Sequence, residues 1–262
     1  GIAALLKGLA AFSSGLCVVT TRYSISDLKA YWQSTVQEKE LNSLPKQAGV
    51  QLLKSFGVHG TQVEYEQLVE DVHGHALTIN LLGSYLRNAH AGDIRKRDLV
   101  KLADADDEEQ GGHAFRVLAA YVKWFETGGK NTEENNRGQR ALAVLRLLGL
   151  FDRPLSADCF FALLKMPVIS NLTELLVEKN EAERNKAMSR LEDAKLLLVS
   201  RDKAYKLISM DTHPLLREYF AKQIRDQYPS SWREAHKRLY KHLIAATKEG
   251  NQPTLEDLQP LY

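Results

Sequence analysis

Cysteine is nearly absent: Cys17 and Cys159 are the only two among 262 residues. Two separated thiols cannot build a disulfide framework, which excludes the small stapled secreted folds and points to a reducing, cytoplasmic setting. No run approaches the ~18 uninterrupted apolar residues of a membrane helix, and no signal peptide is visible. An excess of one charge is also missing. Lys and Arg total 35 against 33 Asp and Glu, a net charge of +2, so no strong field favours nucleic acid or an anionic membrane. The phosphate loop Gly-x-x-x-x-Gly-Lys-Ser/Thr occurs nowhere. Gly128-Gly129-Lys130-Asn131 is the nearest imitation, but Trp124 and Phe125 stand where the first glycine is needed, so the stretch 127–138 reads as a surface loop. No Ser-His-Asp arrangement or carboxylate pair has supporting context, and catalysis by this segment alone is not expected.

What is present is ordinary core-building material, 44% apolar and 26% charged, enough for about two domains. Ile2, Leu5, Leu6, Leu9 and Phe12 fall at helical spacing, which predicts a helix over 2–13. The run Gly15-Leu16-Cys17-Val18-Val19-Thr20-Thr21-Arg22 follows. It reads as a central strand of a parallel sheet, buried on both faces, with Cys17 as a small buried hydrophobe. No sequence able to pair with it follows, so its partners are expected outside these residues and both chain ends read as cut. Arg22 would sit at the carboxyl end of the strand, the edge where open α/β sheets bind ligands.

From Pro45 the pattern is helical. Leu52 and Leu53, then Tyr65, Leu68, Val69 and Val72, then Leu77, Leu81, Leu82, Tyr85 and Leu86 predict a small bundle between about 45 and 100. Residues 103–112 form an acidic hinge ending in two glycines. Helices are expected over 141–148 and 157–164, the second with Ser156 as its N-cap. A helix near 180–194 then leads to two strands, 196–199 and 205–208, joined by a turn at Arg201-Asp202-Lys203. Three helices and a hairpin spell a winged-helix domain. Further helices are expected from His213 to before Pro229 and through Trp232, Ala235, Leu239 and Leu243.

The order of these parts resembles the C-terminal two-thirds of the NB-ARC module of STAND-class signalling ATPases, above all bacterial ones followed by tetratricopeptide repeats. Four stretches carry the likeness, which spans about residues 1–228. Leu16 to Arg22 is similar to the sensor-1 strand ending in Thr-Thr-Arg. Val72-His73-Gly74-His75-Ala76-Leu77-Thr78-Ile79 is similar to the Gly-Leu-Pro-Leu-Ala-Leu motif. Residues 141–152 resemble the entry of the winged helix. Met210-Asp211-Thr212-His213-Pro214-Leu215 resembles the Met-His-Asp region in its His-Pro-Leu form. Two positions depart from the family. Ala76 replaces the proline that packs on adenine, leaving a smaller apolar surface, and Pro214 replaces the aspartate.

The resemblance implies a mainly α chain with four parts. These are the end of a P-loop α/β domain over 1–40, a helical bundle over 41–102, a winged-helix domain over 103–228, and a helical lead-in to repeats over 229–262. It also implies ATP/ADP as cofactor, with Mg²⁺ held by the part carrying the phosphate loop. Arg22, assisted by Thr20 and Thr21, would read the terminal phosphate. Gly74, Ala76 and Leu77 would bind the nucleotide, with Ala76 against the base, and His213, followed by the cofactor-binding Pro214, would latch the ADP state. Implied partners are further copies of the protein on activation, a trigger sensed by the repeats, and an N-terminal effector, in a slow ATPase of anti-phage defence. Two alternatives stay open: a transcription regulator using its winged helix on DNA, and a nucleotide-free adaptor. Duplex binding needs a basic face, whereas the expected recognition helix balances Arg184, Lys186, Arg190 and Lys195 against Glu181, Glu183, Glu192 and Asp193. His73 and His75, at i and i+2, share no helix face for a metal. The remaining histidines, His59, His90, His113, His236 and His242, read as solvent or loop residues.

Overall fold

A computed structural model describes residues 1–21, 24–41, 43–100, 112–177 and 181–246. The described chain is mainly helical, with one small sheet. It divides into two units at Ser43 and Leu44.

In the first unit, α1 spans Ile2–Phe12, as its apolar spacing predicts. A 3₁₀ turn over Ser26–Tyr31 follows and packs on α1. Lys7 pairs with Asp27 at 3.1 Å, and Leu28 is buried. The expected strand is not formed. Residues 15–21 join no ladder among the described residues, and Leu16 and Val18 are exposed. A strand is made by its partner's hydrogen bonds, and an apolar run without one leaves its backbone to water. Cys17 is therefore exposed rather than buried.

From Leu44 onward one continuous core runs from Val50 to Leu239. Helices α2 (Lys46–Ser55), α3 (Gln62–Asp71) and α4 (Ala76–His90) open the unit. Thr61 and Glu64 form a reciprocal capping box at the start of α3, which satisfies two orphan donors at once. A 3₁₀ segment, Ile94–Val100, packs on α3 and α4. The expected hinge over 103–112 falls almost wholly outside the described residues.

Next come α5 (Gly112–Thr127) and α6 (Thr132–Leu148). The stretch read as a loop, 127–138, is thus helical from Thr132. The Asn131 side chain accepts the Glu134 N–H and caps α6, and polar residues cover its exposed first turns. Gly138 lets α6 approach α5, since a Cβ there would lie 2.0 Å from the Phe125 carbonyl oxygen.

The remaining elements are β1 (Leu155–Ser156), α7 (Ala157–Leu163), α8 (Glu174–Val177), α9 (Glu181–Asp193), β2 (Leu198–Arg201), β3 (Leu207–Asp211), α10 (Pro214–Gln227) and α11 (Pro229–Ala246). The antiparallel sheet has the order β1–β3–β2, with Leu155 opposite Met210 and Val199 opposite Met210 on the other side. The third strand, β1, is too short to show period-2 alternation and escapes a sequence reading. The hairpin lies two to three residues later than expected, because Leu196 and Leu197 are core residues entering β2 rather than part of it. Ser156 holds the N-cap position of α7, but its side chain makes no capping hydrogen bond.

Candidate functional site

The α3–α4 junction is built from backbone. Val72 ends α3, and His73 (φ +51°) and Gly74 (φ +66°) follow in the left-handed region. The His73 N–H reaches the Glu70 carbonyl at 2.8 Å and the Gly74 N–H reaches that of Val69 at 2.9 Å. Those two bonds are the Schellman arrangement, with a histidine where glycine is usual. The Gly74 carbonyl in turn accepts the Leu44 N–H at 2.8 Å. His75 is then the N-cap of α4: its Nδ1 accepts the Thr78 N–H at 3.3 Å and lies 2.8 Å from the Thr78 hydroxyl. An accepting Nδ1 fixes the neutral ring as the Nε2–H tautomer. Desolvation of the ring, and then the charge of His113, hold the His75 pKa below its ordinary value. His113, at the start of α5, meets the His73 ring edge-on at 5.5 Å, and its own Nδ1 is buried without a partner. Gly74 is buried, while Ala76 is exposed and Leu77 half-buried.

His213 stands between β3 and α10. It caps α10 through Nδ1, which accepts the Leu215 N–H at 3.2 Å, and Pro214 occupies the first turn, where no N–H is needed. Both residues are exposed. Their neighbours are pinned. The Thr212 hydroxyl donates to the Leu196 carbonyl at 2.7 Å. The buried Arg217 guanidinium donates to the Asp152 carbonyl at 2.8 Å and pairs with Asp211.

The two motifs share a support. The Ser84 hydroxyl of α4 donates to the Ala194 carbonyl at 2.5 Å, two residues before the Leu196 carbonyl that holds Thr212. Residues 194–196 thus tie α4 to the His213 turn. In the first unit, Thr20 and Thr21 are exposed, and Arg22 lies outside the described residues.

Helix α9 packs on the core through Ala187, Met188 and Leu191. Arg184 donates to the Leu176 carbonyl at 3.2 Å, Lys186 pairs with Glu183 at 2.7 Å, and the Arg190 guanidinium lies over the Trp124 and Phe125 rings. Glu183 also pairs with the buried Arg140 of α6 at 2.9 Å. Sequence reading misses the partners of Arg184 and Arg190, which other parts of the chain supply, whereas Lys186 meets Glu183 one turn away on the same helix.

Several histidines depart from the solvent or loop reading. His90 lies 3.2 Å from the Tyr85 hydroxyl, His236 packs against Trp232, and His242 pairs with Asp158 at 3.2 Å. Asp158, Cys159 and His242 are also the one group of three potential metal ligands among the described residues.

No protein-family model matches this chain. Comparison with curated proteins likewise gives no match.

Proposed function

We propose that the chain is the regulatory segment of a STAND-class nucleotide switch, in which ADP holds a winged-helix domain closed and ATP releases it for assembly. The element order α6–β1–α7–α8–α9–β2–β3, in which α8 is a single turn, with sheet order β1–β3–β2 supports a winged helix. A helical bundle precedes it, α2 to α4, whose last helix starts at the Gly74–Ala76–Leu77 motif. The observation that carries the reading is His213. It is an exposed histidine leading straight from the last strand into a helix N-terminus, with its ring oriented by its own cap bond and the residues beside it anchored by Thr212 and Arg217. With Nδ1 accepting, the neutral ring carries its proton on Nε2.

On this reading Ala76 and Leu77 offer the base a small apolar surface, and Arg22, with Thr20 and Thr21, reads the terminal phosphate. The protein would act as an ATP-dependent homo-oligomer joining a sensed trigger to an effector. The contacts of α9 support a packing role for the winged helix over duplex binding, because Arg184 and Arg190 are engaged within the domain.

The test is ADP release from the full-length protein. His213→Ala should raise the ADP off-rate about tenfold, the equivalent of ~1.4 kcal/mol of lost contact. An unchanged off-rate overturns the latch.

A further inference from the structure

We propose that Asp158, Cys159 and His242 form a binding site for a zinc-class divalent transition metal that ties α7 to α11. The ligands come from two elements, Asp158 and Cys159 from the first turn of α7 and His242 from the last turns of α11. Their donor atoms already converge. Asp158 Oδ2 lies 3.2 Å from His242 Nε2 and 4.0 Å from Cys159 Sγ, and all three atoms are within 4.8 Å of one another. Bonds of about 2.0–2.3 Å in a tetrahedron put neighbouring ligand atoms roughly 3.4 Å apart. Closing the set therefore needs only small side-chain adjustments.

The donor set is selective. A thiolate, an imidazole and a carboxylate suit zinc or cobalt, whereas magnesium and calcium take oxygen donors. Three protein ligands leave the fourth position to water. Binding converts the Cys159 thiol to a thiolate and releases its proton to solvent.

The supporting groups are those a metal site needs. Ser156 sits at the N-cap of α7, two residues before Asp158. One turn before His242, Arg238 donates to the carbonyls of Leu163, Lys165 and Pro167, which fixes the helix face that carries the imidazole. A bare His–Asp pair with an Asp side chain 61% exposed would contribute little by itself. The buried thiol beside it is what turns the pair into a ligand set.

Cobalt titration of the 262-residue chain tests the site, in a Cys17→Ser background that leaves Cys159 as the single thiol. One Co²⁺ should bind per chain with a thiolate-to-cobalt charge-transfer absorption, and Zn²⁺ should bleach it. Cys159→Ser should abolish the band. His242→Gln should weaken binding roughly tenfold or more, the scale on which even outer-shell partners act. Cys159 is buried, so His242→Gln carries the test should Cys159→Ser fail to fold, with circular dichroism reporting the fold. Absence of the charge-transfer band, or an affinity unchanged in His242→Gln, overturns the proposal.

Discussion

His75 does with an imidazole what serine or aspartate usually does at a helix start. Its Nδ1 can accept the Thr78 N–H only while deprotonated. A proton there would remove the cap and put a positive charge at the positive end of α4. Burial also favours the neutral rings of His90 and His236, so all three have native pKa values below the ordinary 6.5. The unfolded chain then binds more protons than the folded one. Their contribution is fully present above about pH 6.5 and is lost as pH falls through the depressed native values. The urea midpoint should therefore drop between about pH 7.5 and 5.5. His75→Asn, a cap that does not titrate, should leave the midpoint at the higher pH within about 0.5 kcal/mol and shrink the acid loss. Equal loss in both proteins would remove His75 from the account.

Elements were legible in the sequence where one periodicity ran long enough. Leu77, Leu81, Leu82 and Leu86 announce α4, and His213 followed by Pro214 announces the start of α10. Two features hid the rest. In α6 the apolar stripe begins only at Ala141, so the polar turns from Thr132 look like a loop until Asn131 is seen capping them. The candidate site depends on pairings that no local pattern encodes, such as Arg217 with the Asp152 carbonyl and Ser84 with that of Ala194, 110 positions away. That last bond ties α4 to the β2 approach. Ser84→Ala should cost about 1–3 kcal/mol by chemical denaturation, because the Ala194 carbonyl loses its hydroxyl partner in a buried setting. A change below about 0.3 kcal/mol would mean that packing alone joins these elements.

At the scale of the whole molecule, the helices from α2 to α11 share one core, yet α11 is held by a few identifiable anchors. Ser231 bonds the Ser170 carbonyl at 2.6 Å, and Arg238 gathers three carbonyls at the end of α7 and just beyond it. Arg238→Ala should lower stability by about 2–3 kcal/mol. Amide exchange should show which part loosens: α11 should lose protection before the α6 core, and uniform loss along the chain would contradict a local anchor. The sheet carries a different consequence. Strand β2 pairs on one side only among the described residues, and Leu198 is 72% exposed. Such an edge invites another chain to add to it. Here it is four residues long, its register slips between Ser200 and Arg201, and Arg201 is held by Glu192. A short, kinked edge gives an incoming strand no straight row of donors and acceptors to copy, which guards a crowded solution of this protein against polymerising through its smallest element.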